Sequence, residues 1–232
     1  MTFKSKRMTD LKKLEEVGEK TFSPLEAFSI LKKVSRIKFI ESIDVAINLG
    51  INPKRSDQTV RGSSILRHGT GKSPRVAVFA TGDKAKEAQD AGADIIGLED
   101  LVNNIKSGLI DFDLAIATPE TMSKISAIGK ILGPKGLMPN PKMGTVSSDI
   151  NTAVKNAKSG QVRYRSDKYG IIHTTIGKIN FDNLHLKENL EVLVHDIHRL
   201  KPSGFKGHYV KKIHISSTMG IGLSLDISSL ES

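Results

Sequence analysis

Residues 76–117 read VAVFATGDKAKEAQDAGADIIGLEDLVNNIKSGLIDFDLAIA, and the order of apolar and charged runs within them decides the fold. Val76–Ala80, Asp94–Leu98 and Phe112–Ala117 are short apolar runs that predict strands. Between and after them, Lys84–Ala91, Asp100–Lys106 and Glu120–Ile131 carry the spacing of helices. Strand and helix in regular alternation predict a small open parallel sheet with helices on both faces, because a parallel connection needs a crossover and the crossover helix covers the sheet. Sheets of this kind often hold dinucleotides. Here the turn after the first strand is Thr81-Gly82-Asp83, without the GxGxxG that lets a pyrophosphate approach a helix terminus, so the fold alone does not license a cofactor.

The stretch that follows, Gly129–Gly144 (GKILGPKGLMPNPKMG), sets Pro134, Pro139 and Pro141 among Gly133, Gly136 and Gly144. Proline removes an N–H donor and fixes φ, and glycine opens φ above zero, so the segment reads as an ordered irregular loop presenting Lys130, Lys135 and Lys142. Its composition alone fits equally a rigid crossover with solvated lysines. Asp149–Lys158 then predicts a helix that returns the chain to the flanking sequence.

The flanks have a different texture. Ser23-Pro24-Leu25-Glu26 is a capping box with proline at the first helical position, predicting a helix from Pro24 to about Arg36. Ile43, Val45, Ile47 and Leu49 alternate with Asp44, Ala46 and Asn48, the period of a half-buried strand. A second strand is expected near Thr59–Leu66. Gln161–Arg165 and Ile171–Thr175 predict a hairpin around Ser166–Gly170 with Arg163 and Arg165 outward, Leu186–Leu200 an amphipathic helix, and His208–Ser216 a strand ending at Ser217–Gly222. Residues 1–20 read as a basic arm, Lys4, Lys6 and Arg7, running into Leu11, Leu14 and Val17 at helical spacing.

Charge separates the same regions. The 232 residues hold 35 Lys plus Arg against 25 Asp plus Glu, a net charge of +10. Residues 68–160 contribute only +1 of it (11 basic, 10 acidic), residues 1–67 contribute +6 (14, 8) and residues 161–232 contribute +3 (10, 7). The expected organisation is therefore a discontinuous basic α+β domain from 1–67 and 160–232, and a nearly neutral inserted Rossmann-like α/β domain at 68–159. A chain this basic points to a polyanionic partner. No apolar run reaches spanning length and the N-terminus lacks a secretory core, so a cytoplasmic protein without a membrane partner is expected. With no cysteine, disulfides, thiolate metal sites and cysteine nucleophiles are excluded together.

Enzyme chemistry finds little support. Gly71-Lys72-Ser73 imitates the end of a phosphate-binding P-loop, but the required first glycine falls at Leu66 and the segment precedes a strand. His195 and His198 could share a helix face, yet a third metal ligand at convincing spacing is missing. Asp44, Asp167 and Asp182 could serve as acids or bases, and nothing selects them. Nucleic acid is the better expectation: lysine and arginine neutralise phosphates, while small hydroxyl side chains and glycine backbone, as at Ser217, Thr218 and Gly220, suit ribose 2'-hydroxyls of structured RNA. Aromatic content of 5% argues for shape recognition over a surface that stacks a succession of bases.

The segments LGPKGLMPNPKMGTV at 132–146, KFIESIDVAINLGI at 38–51, SDQTVRG at 56–62, VKNAKSGQVRYRSDKYGIIHTTIGK at 154–178 and STMGIG at 217–222 together closely resemble the bacterial form of the large-subunit ribosomal protein L-one family. The resemblance runs from about Thr21 to Gly222. It implies the same two-domain fold, the two domains joined by a hinge, and a non-enzymatic protein that binds large-subunit rRNA at the mobile stalk. There it would aid release of deacylated tRNA from the exit site, and it would repress its own operon mRNA. It further implies a protein monomeric when free and without cofactor. Carried over by motif, Lys38, Phe39, Glu41, Ser217, Thr218, Met219 and Gly220 would form the principal RNA surface. Asp167, Lys168 and Gly170 would flank it, and Arg55 would meet a phosphate. Arg67, where the family usually has proline, and Tyr169, at a turn position more often small or polar, depart from the pattern. The rival reading is a nucleotide-binding enzyme using the inserted sheet.

Overall fold

The computed structural model describes residues 20–35, 37–55, 58–202, 205 and 207–230. The expected arm at 1–19 lies outside the described residues. In chain order the first elements are β1 (Thr21–Phe22), α1 (Pro24–Val34), β2 (Ser42–Leu49) and β3 (Arg61–Ile65). Then come β4 (Val76–Phe79), α2 (Asp83–Asp90), β5 (Ile95–Gly97), α3 (Glu99–Lys106), β6 (Leu114–Ala117), α4 (Met122–Ser126) and α5 (Gly129–Leu132). The last are α6 (Ile150–Lys158), β7 (Gln161–Arg165), β8 (Ile171–Lys178), α7 (Asn183–Arg199), β9 (Val210–Ser217) and β10 (Gly222–Leu225). The chain divides into two compact units, one from residues up to Gly71 and from Val162 onward, the other Lys72–Gln161.

The first unit is built on a five-stranded sheet of order β1-β10-β9-β2-β8. Strand β2 runs antiparallel to both β8 and β9. Its alternation fixes which face is covered: Ile43, Val45, Ile47 and Leu49 are buried, and the residues between them are half-exposed. Helices α1 and α7 cover the buried face with Ala27, Phe28 and Leu31 from one and Leu186, Leu190, Leu193 and Ile197 from the other. The α1 capping box is present, Ser23 N–H donating to Glu26 Oε2 at 3.3 Å. One buried polar residue ties α7 to the chain leaving this unit: Asn189 Oδ1 accepts from His68 N–H at 3.0 Å, and its Nδ2 donates to Gly69 O at 3.0 Å and Ile176 O at 2.9 Å. The opposite sheet face carries Asp44, Thr175, His214 and Ser224.

Two expectations change here. Strand β7 does not form a hairpin ladder with β8; it pairs with β3 in a separate two-stranded sheet, and just past it Ser166 bridges Ile172 of β8. Arg163 is therefore half-buried, with desolvation drawing its guanidinium pKa down, and Arg165 alone of the pair is exposed. Strand β10 was not anticipated; its four residues, Gly222–Leu225, are too short for periodicity to separate them from a loop.

The second unit is the parallel sheet that the opening stretch predicts, with order β5-β4-β6. Strand β4 is buried on both faces. Val76 and Val78 pack with Ala88, Ile150 and Val154 from α2 and α6, while Ala77 and Phe79 pack with Leu101, Ile105, Ile125 and Leu132 from α3, α4 and α5. The helix expected over Glu120–Ile131 is two short ones, divided at Ala127–Ile128 ahead of Gly129. The loop after it is ordered by its own polar groups. Asn140 Oδ1 accepts from Lys142 N–H at 2.9 Å, Thr145 Oγ1 accepts from Asn140 N–H at 2.8 Å, and Gly136 and Gly144 stand at φ of 70° and 69°.

Candidate nucleic-acid interface

The residues singled out in the sequence fall at two ends of β2. At its start, the segment Lys38–Ser42 meets the turn between β9 and β10. The lock is Glu41, which is fully buried: its carboxylate accepts from Met219 N–H at 2.8 Å and from Ser35 Oγ at 2.5 Å, and its own carbonyl accepts from Ile179 N–H at 3.0 Å. Thr218 adds a second tie, its Oγ1 accepting from Ser42 N–H at 3.0 Å and donating to Ser42 O at 3.3 Å. Burying a carboxylate is costly unless donors compensate it, so these partners fix where the turn stands.

What this lock presents is apolar and basic. Phe39 and Met219 are each 52% exposed and Ile40 is 59% exposed, while Lys38 and Thr218 are also on the surface. Large apolar side chains left in water beside a cation and a hydroxyl make a surface suited to ribose and base edges, with a phosphate neighbour. Nearby, Lys178 Nζ donates to Ser42 Oγ at 2.9 Å and Thr175 Oγ1 donates to Asp44 Oδ1 at 2.6 Å, lining the adjoining sheet face. Sequence reasoning passed over Lys178 and Thr175. Their signal was available only through register, since Lys178 lies opposite Ser42 and Thr175 opposite Asp44.

Two of the expected surface residues are interior. Glu41 does not face solvent, and Ser217 is only 4% exposed, its Oγ turned beneath Gly220. A Cβ at Gly220 would fall well inside van der Waals distance of that oxygen, so the glycine is required by packing within the turn. Both residues position the surface; Phe39, Ile40, Thr218 and Met219 form it.

Asp167, Lys168 and Gly170 lie at the other end, and Arg55 stands in the loop that follows β2, its N–H donating to Asn52 O at 3.1 Å. Ile171 pairs with Asn48 near the finish of β2, whereas Lys178 pairs with Ser42 at its start, which separates the two ends by ~20 Å of strand. Asp167 organises the turn: its Oδ1 accepts from the N–H groups of Tyr169 and Ile171, each at 2.8 Å, and His173 Nε2 stands 3.7 Å from Oδ2. Desolvation is the largest influence and pushes this carboxyl pKa up, but the Ile171 and Tyr169 N–H groups and His173 outweigh it and hold it below the usual range. Gly170 is buried at φ 79°, with Leu49 N–H donating to its carbonyl at 3.0 Å. Lys168 and Arg55 are exposed.

No group of three metal-ligating side chains exists among the described residues. His195 and His198 instead line a cleft of about 750 Å³ beside Glu188, Glu191 and Val194. Among the described residues no helix is long and apolar enough to cross a membrane.

Nearly the whole chain is similar in sequence to known proteins. The model of the ribosomal protein L1p/L10e family matches residues 31–221, and the chain belongs to that family. It is 58% identical over 226 residues to the large ribosomal subunit protein uL1 of Methylococcus capsulatus, with 97% of each chain covered. The proteins of the same name from Francisella philomiragia and Thioalkalivibrio sulfidiphilus are 55% and 54% identical over 226 residues, again with 97% of each chain covered.

Proposed function

We infer that this chain is a constituent of the large ribosomal subunit and binds large-subunit rRNA, with the Lys38–Ser42 and Thr218–Met219 end of the first unit as its principal contact. One observation carries the assignment of the surface: Glu41 is buried and bonds the Met219 backbone, while the side chains of Met219 and of Phe39, two residues before Glu41, are each 52% exposed. Two large apolar side chains kept in water beside a buried tie have a reason when they meet a partner. Lys38 supplies phosphate neutralisation, Thr218 hydroxyl contacts to ribose, and Lys168 with Arg55 a second phosphate contact ~20 Å along the sheet.

The finer reading places the bound RNA at the mobile stalk beside the tRNA exit site. The protein there assists departure of deacylated tRNA, and it represses its own operon by binding a messenger segment shaped like the rRNA site. The exposed Lys130, Lys135 and Lys142 of the second unit serve as a tRNA-facing or further rRNA-facing surface.

Equilibrium binding of a folded stalk rRNA fragment across a salt series tests the reading. Affinity for the folded fragment exceeds that for scrambled RNA and falls steeply with salt. Met219→Asp and Phe39→Ala each weaken it by about 30-fold or more with folding intact. Equal affinity for scrambled RNA together with nucleotide binding and turnover by the purified chain overturns it in favour of an enzyme built on the parallel sheet. Translation of the operon messenger in a cell-free system, repressed by the wild-type chain and not by Met219→Asp, tests the regulatory half.

A further inference from the structure

Three tyrosines are present, and they divide sharply: Tyr164 and Tyr209 are core residues at 2% and 4% exposure, whereas Tyr169 is 68% exposed. An aromatic ring left in water keeps apolar surface that the fold does not use. Here the turn that carries the ring is also held in place. The Asp167 carboxylate takes the Tyr169 and Ile171 N–H groups, Asp167 N–H donates to Ile171 O at 2.9 Å, and Gly170 is joined to Leu49 at 3.0 Å. A Cβ at Gly170 would stand 3.2 Å from Ile51 Cγ1, so the turn is seated against the chain just before the exposed Lys54 and Arg55. Lys168 Nζ stands over the ring, 5.0 Å from its centroid.

We propose that Tyr169 is a stacking platform for one unpaired RNA base, with Lys168 and Arg55 meeting the flanking phosphates. The proposal deepens the rRNA-binding reading and rests on it. An aromatic face gives a base a sequence-tolerant contact, and a cation beside it supplies the phosphate partner that such a base carries. The low aromatic content argues against a row of such contacts and is compatible with one. The platform lies ~20 Å along β2 from Met219, so it acts as a second attachment that fixes the direction of the RNA across the sheet.

The test uses the full chain and a folded stalk rRNA fragment carrying 2-aminopurine at each unpaired position in turn. In the wild-type complex one position is quenched by stacking. Tyr169→Leu removes that quench and weakens binding about tenfold, while Tyr169→Phe keeps both, since the ring and not the hydroxyl is needed. With no tryptophan in the chain and the other tyrosines buried, RNA also shields the iodide-accessible tyrosine emission. Wild-type affinity in Tyr169→Leu, with Met219→Asp still defective, overturns the platform and leaves the rRNA reading standing. Absence of any quenched position overturns it as well. If the wild-type chain shows no preference for the folded fragment, both fall together.

Discussion

The two ends of β2 are built on opposite plans. At the Ser42 end, a buried carboxylate joins residues 178 positions apart, Glu41 and Met219, and the surface exists only because distant segments converge. At the Asn48 end, the Asp167 carboxylate bonds N–H groups two and four residues on, so the turn is organised largely by its own sequence. A long-range lock is rigid and intolerant of change, because removing one partner strands the others inside; a local turn relaxes at small cost. The first plan suits recognition of one defined shape and the second suits a supporting contact.

The contrast can be broken most severely at Glu41. Replacing it with alanine leaves the Met219 N–H and Ser35 hydroxyl without their acceptor and opens a cavity, and should lower stability by about 3 kcal/mol. Urea unfolding checks this, and Glu41→Gln, which keeps an acceptor, should lose less. An unchanged midpoint in Glu41→Ala would mean that the lock is not what holds this end. Next in size is Gly220→Ala, about 2 kcal/mol, because the new methyl competes with Ser217 Oγ. Combining it with Ser217→Ala should recover most of the loss, a coupling that additive behaviour of the two substitutions would refute.

At the other end Gly170→Ala should cost about 1 kcal/mol, from placing an L side chain at φ 79°. The effect should stay local, visible in amide exchange around Asp167–Ile171. The smallest expected effect is that of acid. Because the Asp167 pKa is depressed on folding, its contribution is present above the ordinary aspartate value of about 3.9 and is lost as pH falls through the lower folded value. Protection of the Tyr169 and Ile171 amides, corrected for intrinsic exchange, should hold from neutrality to about pH 4 and decline below it. A decline that sets in well above pH 4 would mean that the Asp167 carboxylate is not what holds the turn.

Local signals were legible in the sequence wherever one element suffices to express them. The capping box at Ser23, the period-two run Ile43–Leu49 and the strand–helix alternation from Val76 are properties of neighbouring residues, and the structure carries each of them. What could not be read depends on partners far away in the chain. Nothing next to Glu41 marks it as interior, since its donors are Ser35 and Met219. Ser217 looks like any hydroxyl beside a glycine until the turn folds its Oγ under Gly220. The pairing of β7 with β3 in place of β8 is likewise a matter of which of two compatible edges wins. The sequence singled out the segments at 38–42 and 217–220 and blurred which of their residues face outward.

The account is tested most directly by mapping amide hydrogen exchange of the full chain with and without the folded stalk rRNA fragment. It predicts new protection concentrated at residues 38–42 and 217–220, with a weaker patch at 167–170. Protection confined to residues 72–161, with the Phe39 and Met219 segments exchanging as in the free protein, would contradict it.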